Sequence, residues 1–268
     1  MASVLITGCD SGIGYHTAEC FADAGHRVFA TVRSGADTAR VDALAAAAGG
    51  RLTILRLDVT DPAQIVAVRE RVLAEGPLDV LVNNAGRVMI APAEESSDAD
   101  ARALFDVNFF GLFAMTKAFL PAMRAQRAGT IVNLSSPSAL VPAHWYGLYA
   151  ASKAAVGALS ATLAHELAPW NIRVIVVYPG NFKTAVLKHA VGSLEVAPDS
   201  PYFELKQQTK AAARVHYAAM LGPEERATRE SGRPVGEAIL SAVFDGTGRL
   251  HYPVGTDAQT LFDNRAKA

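Results

Sequence analysis

The sequence predicts an α/β fold: one domain built on a doubly wound parallel sheet, with a long, partly helical segment late in the chain. Three observations lead there. Short β-branched runs alternate with longer helical patterns along the 268 residues. Those runs are almost continuously apolar rather than alternating, which is how strands buried on both faces read. Half of the residues are hydrophobic and 19% are charged, a globular composition on a chain long enough for a well-buried core.

Taken in order, the strands are "SVLIT" (3–7), "RVFATV" (27–32), "LTILRL" (52–57), "LDVLVN" (78–83), "GTIVNLS" (129–135), "IRVIVVY" (172–178) and a last one near "LHYPVG" (250–255). Helical patterns fill the gaps, among them "GIGYHTAECFADAG", "DPAQIVAVRERVLAEG", the long stretch from "SDADARALF" to "PAMRAQ", "YAASKAAVGALSATLAHELAP" and a helix at about 234–245. Asp61 and Ser97 suit helix N-caps, and Pro62 suits a first helical turn. Alternation of this kind calls for right-handed crossovers that cover both sheet faces. Residues 181 to about 232 break the rhythm with "APDSPYF", a helical stretch near 203–221 and "LGPEERATRESGRP". Too long for an ordinary connection, this part reads as a lid or substrate loop over about 185–232.

The first turn carries the first chemical signal. "LITGCDSGIG" leaves a strand and enters a helix through Gly8, Gly12 and Gly14, with Ser11 and Ile13 between them. Glycine permits the sharp turn and a close backbone approach to a ligand. The N–H groups and positive dipole end of the new helix point at the same loop, which makes it a phosphate site. A plain glycine turn is the alternative. The spacing G-x-x-x-G-x-G differs from the commoner G-x-G-x-x-G.

Further motifs follow in register. "NNAG" (Asn83, Asn84, Ala85, Gly86) closes the fourth strand, and Asn108 lies in the next helix. Ser136 precedes Tyr149 by 13 residues, and "YAASK" places Tyr149 and Lys153 one helical turn apart. "PGNFKT" (Pro179, Gly180, to Thr184) follows the sixth strand. Together these resemble the short-chain dehydrogenase/reductase family, in the branch with a TGxxxGxG loop, and "ITGCDSGIG" resembles the loop of the retinol and hydroxysteroid dehydrogenases.

The resemblance implies a Rossmann-type fold and an oxidoreductase that interconverts a secondary alcohol and a ketone. Tyr149 is then the acid or base, Ser136 the partner of the substrate oxygen, and Asn108 the holder of a water that links Lys153 to solvent. Lys153 also holds the nicotinamide ribose. By ordinary electrostatics its charge is expected to lower the Tyr149 pKa from about 10. Thr184 is implied to bind the nicotinamide carboxamide in a pocket shaped by Pro179 and Gly180. Asp58 and Val59 resemble an adenine-contacting pair, although Asp58 also suits a helix-approach turn. Asn84, Ala85 and Gly86 would line the cofactor cleft at the strand ends.

The second strand normally selects the cofactor through an acidic residue at its end, which repels a 2′-phosphate. Val32 stands there, followed by Arg33. Arginine suits a phosphate, so NADP(H) is expected to be preferred, with NAD(H) possible. His144, Trp145 and Tyr146 fall between Ser136 and Tyr149 and suit an apolar alcohol or carbonyl substrate, although core packing explains them equally. The alanine-rich helix presents small side chains that allow close packing; the resemblance implies that it pairs between copies, as a homodimer or homotetramer, although burial within one copy explains the alanines as well.

Other readings find less support. The formal net charge of −1 gives no electrostatic footprint for nucleic acid or a membrane surface. Cys9 and Cys20 have no zinc spacing, no metal site is expected, and two free thiols fit a reducing cytoplasm. "AHEL" (164–167) lacks the second histidine of a zinc-protease helix, since Pro169 stands where it would be. No uninterrupted apolar run suits a membrane span. The expected protein is soluble and cytoplasmic. A non-catalytic, cofactor-sensing regulator on the same fold is the competing function. It has no need of the Asn108–Ser136–Tyr149–Lys153 set.

Overall fold

The structure is a computed structural model that describes residues 1–182, 196–209 and 231–265. Seven parallel strands form one sheet: β1 (Ser3–Ile6), β2 (Arg27–Val32), β3 (Leu52–Arg56), β4 (Val80–Asn83), β5 (Gly129–Leu134), β6 (Ile172–Pro179) and β7 (His251–Val254). Their order across the sheet is β3-β2-β1-β4-β5-β6-β7. The winding direction therefore reverses between β1 and β4, and in open α/β sheets ligands bind in the crevice at the carboxyl ends beside such a switch point.

Successive side chains on a strand face opposite ways, and β1 feeds both layers of the core. Val4 and Ile6 join Phe21 of α1 (Gly12–Asp23), Val41 of α2 (Ala39–Ala47) and Ile239 of α7 (Arg233–Phe244). Leu5 joins Val68 of α3 (Pro62–Ala74), Phe119 of α5 (Leu112–Gln126) and Leu163 of α6 (Gly147–Leu167) on the other face. Both caps expected from sequence form. The Asp61 carboxylate accepts from the Ala63 and Gln64 N–H groups, and Ser97 Oγ accepts from Asp100 N.

The helix running from α4 (Asp98–Phe105) into α5 passes through one π-helical turn, Asp106–Gly111. Gly111 faces Val59 so closely that an ideal Cβ there would lie 2.6 Å from Val59 Cγ2. Such turns re-aim side chains locally, and this one carries the buried Asn108. By length and composition the combined helix is also apolar enough to cross a membrane, but it packs one face on the sheet. Phe110 and Phe113 lie exposed on its surface. The last helix is α8 (Thr256–Arg265).

Candidate active site

The glycine loop and the end of β4 are tied into one unit. Thr7 Oγ1 accepts from the N–H groups of Asn84 (3.0 Å) and Ala85 (2.9 Å). Asn84 Nδ2 donates to the carbonyls of Thr7 (2.8 Å) and Gly8 (2.9 Å). Gly8 and Gly12 take φ values of 73° and 58°, in the left-handed region that favours glycine. Gly14 is required by proximity: an ideal Cβ would sit 2.1 Å from Gly8 O and 2.4 Å from Asn84 Nδ2. Ser11 occupies the N-cap of α1 without a side-chain cap bond, and the first turn carries no acidic residue. The helix start thus keeps its positive end uncompensated, as a phosphate requires. The cradle fits the phosphates of a dinucleotide, which Gly8, Ser11, Gly12, Ile13 and Gly14 would hold.

At the neighbouring sheet edge, Arg33 lies exposed just past β2. Its carbonyl accepts from Arg56 Nη1 at 3.0 Å, which brings a second arginine to the same corner, since Arg56 pairs in register with Val32. Asp58 forms a turn: its Oδ1 accepts from Thr60 N (2.9 Å) and Thr60 Oγ1 (2.7 Å). Val59 is buried. The helix-approach reading of Asp58 is therefore realised in the folded chain.

The catalytic candidates converge from three elements. Ser136 follows β5, where it caps a short 3₁₀ turn by accepting from Ser138 N at 3.2 Å. Tyr149 and Lys153 project from the first turns of α6, and the Ser136 hydroxyl lies close enough to the Tyr149 phenol to act on its proton. Lys153 Nζ is buried and donates to Leu134 O at 2.8 Å. Asn108 is held on three sides. Its Oδ1 accepts from Arg87 N (2.8 Å), and its Nδ2 donates to Arg87 O (2.9 Å) and Ser152 Oγ (3.0 Å). Gly86 lies between them, so that an ideal Cβ there would be 3.3 Å from Asn108 Oδ1 and 3.4 Å from Lys153 Nζ. Pro179 ends β6 and Gly180 follows; Thr184 lies outside the described residues.

The electrostatics correct one expectation. Burial raises the Tyr149 pKa above its usual 10, and the nearby Ser136 hydroxyl opposes this only in part. Lys153 does not lower it in this structure. Burial brings the lysine itself down to about 8, and its ammonium is spent on the Leu134 carbonyl. Cys9 is buried and its thiol is pushed well above the ordinary range, which makes it inert.

Ser152 and the partners of Trp145 escaped the sequence reading. Ser152 donates to Tyr149 O at 2.7 Å and accepts from Asn108, linking two elements of the site. Its place three residues after Tyr149, on the same helix, was the available signal. Trp145 has φ of 73°, rare for a bulky residue, and its carbonyl accepts from Ala91 N at 2.9 Å. Its indole N–H donates to Thr209 Oγ1 at 2.9 Å, and Tyr202 meets its ring edge-on with centroids 6.0 Å apart. Tyr202 and Ser200 in turn bond to Glu94 and Glu95. Residues 196–209 of the expected lid are thus fastened beside the Ser136–Tyr149 loop; 185–195 and 210–230 lie outside the described residues.

A family model for short chain dehydrogenase matches residues 2–193. The chain belongs to the short-chain dehydrogenase family. It is 36% identical to the short-chain dehydrogenase PC-15 of Penicillium crustosum over 93% of its own length and 87% of that protein's. It is also 36% identical to human 11-beta-hydroxysteroid dehydrogenase type 2 over 94% of its length, which spans 64% of the human chain. A solved short chain dehydrogenase/reductase from Burkholderia phymatum, in complex with NAD, superposes with a TM-score of 0.81 at 26% identity, covering 99% of this chain and 92% of that one. As a short-chain dehydrogenase the protein is an oxidoreductase with a nicotinamide dinucleotide cofactor and a small-molecule substrate, and its relatives include hydroxysteroid dehydrogenases.

Proposed function

We propose that this short-chain dehydrogenase is an NADP(H)-dependent enzyme that interconverts an apolar secondary alcohol and its ketone. The carrying observation is the convergence of Ser136, Tyr149 and Lys153 at the carboxyl ends of β4, β5 and β6, next to the glycine cradle. A nicotinamide dinucleotide bound there supplies or accepts the hydride. The chain's own side chains do the rest. Ser136 Oγ holds the substrate oxygen. Tyr149 gives that oxygen its proton in reduction and removes it in oxidation. Its raised pKa keeps the phenol protonated at neutral pH, which suits it to proton donation. Lys153, still mostly cationic at pH 7 and held by the Leu134 carbonyl, would hold the ribose of a bound cofactor and pass protons towards Asn108 across Gly86.

Arg33 and Arg56 support the NADP(H) preference, because both arginines lie by the end of β2, where Val32 replaces the acidic residue that would oppose a 2′-phosphate. Trp145, Tyr146 and Tyr202, with buried Val88 and Met89, support an apolar substrate. Exposed Phe110 and Phe113 on the α4–α5 helix support pairing with a second copy. A cytoplasmic site of action fits the two unpaired thiols.

The test is a panel of secondary alcohols and ketones of increasing apolar bulk, read by the absorbance of reduced nicotinamide with either cofactor. Turnover that is faster with NADP(H) and improves with apolar bulk is expected. Tight cofactor binding with no turnover on any member would favour the sensor reading instead.

A further inference from the structure

The backbone leaving β6 has three consecutive N–H groups to satisfy. Gly180 N donates to Val254 O at 2.9 Å, which continues the β6–β7 ladder, and Phe182 N donates back to Gly180 O at 3.0 Å. The N–H between them, on Asn181, donates to Oδ2 of Asp257 at 2.8 Å. Oδ1 of the same carboxylate accepts from Ala258 N at 2.8 Å. Strand β7 ends at Val254, so the aspartate takes over where the ladder stops. The fit is tight. An ideal Cβ on Gly180 would lie 2.0 Å from Asp257 Oδ1 and 2.7 Å from Cγ. Glycine at 180 leaves room for this carboxylate, and a larger residue would displace it; the reason is not a left-handed backbone. Asp257 lies beyond the residues 2–193 that match the family model.

We infer that Asp257 is a positioning residue for the cofactor: it locks the turn at 179–181 in the shape that receives the nicotinamide end of the dinucleotide. The inference rests on the oxidoreductase reading above. Asp257 acts through Asn181 N and the Gly180 backbone. Removing it takes the acceptor from two N–H groups, those of Asn181 and Ala258, and vacates the space beside Gly180, so the turn loses its fixed shape while the Ser136–Tyr149–Lys153 group is untouched.

The experiment uses the full-length protein without substrate. Asp257→Ala is expected to weaken NADPH binding, measured by cofactor fluorescence, about tenfold, which is about 1.4 kcal/mol. Amide exchange at 180–182 in the cofactor-free protein should accelerate by a similar factor, while kcat at saturating cofactor changes less than about twofold. Asp257→Asn keeps an acceptor oxygen and is expected to recover most of the affinity. Gly180→Ala should weaken binding in the parent chain but add little to Asp257→Ala, because its methyl group then enters vacated space. Unchanged binding and exchange in Asp257→Ala, or additive effects of the two substitutions, would overturn the inference alone. A parent protein that binds neither NADPH nor NADH would overturn the oxidoreductase reading as well. Asp257→Ser serves the same comparison if the alanine variant folds poorly.

Discussion

Replacing Lys153 with methionine is expected to stabilise the protein at neutral pH and to lose that advantage in alkali. The Lys153 ammonium is buried with one carbonyl partner, Leu134 O at 2.8 Å. Burial lowers its pKa from an ordinary 10.5 to about 8. At 1.36 kcal/mol per pKa unit, keeping the charge costs the folded state about 3 kcal/mol at pH 7. The sign follows from proton binding. Between pH 8 and 10.5 the unfolded chain holds this proton and the folded chain does not, so parent stability rises with pH through that window. Near pH 10 less than about 1 kcal/mol of the cost remains. Methionine has similar length and no charge, and leaves one carbonyl without its donor. The gain of Lys153→Met over the parent is therefore expected to shrink by about 2 kcal/mol from pH 7 to pH 10. Urea unfolding of both proteins at the two pH values, followed by the fluorescence of Trp145 and Trp170, measures it. A stability difference constant to within about 0.5 kcal/mol would refute a buried, charged lysine. Turnover should fall in the same variant, because the cost is retained for chemistry rather than for folding.

Two further outcomes bear on the cofactor. Arg33→Ala should raise KM for NADPH at least tenfold more than KM for NADH, as steady-state kinetics with each cofactor will read; equal changes would remove Arg33 from the selection. Gly14→Ala places a methyl group within 2.1 Å of Gly8 O, so it is expected to lower stability by about 2 kcal/mol and to abolish measurable NADPH binding, checked by thermal unfolding and fluorescence titration.

Much of this was legible in the sequence, for physical reasons that differ by element. The strands declared themselves because burial on both faces demands unbroken apolar runs such as "VLI" and "RVIVVY". Asp61 and Ser97 were readable because capping is local. The glycine loop was readable because positive φ at Gly8 and Gly12, and the contact at Gly14, leave no other residue type. By contrast, α2 buries only Val41, so its alanine-rich stretch has no apolar period to find. The π turn around Asn108 depends on Gly111 meeting Val59, which is 52 positions earlier, and no window sees that. Helix α8 and Asp257 carry no motif; their contact with Gly180 exists only once β6 and β7 pair. The rise of the Tyr149 pKa is not legible in the sequence, where proximity to Lys153 along a helix is visible and the burial of both groups is not.

The central claim is that the Tyr149 phenol transfers the proton that completes carbonyl reduction. Tyr149→Phe removes one oxygen and keeps the ring, so NADPH affinity should stay within about twofold of the parent while single-turnover reduction of a ketone accepted by the parent falls at least a hundredfold. Retention of near-parental single-turnover rates in that variant would contradict the account.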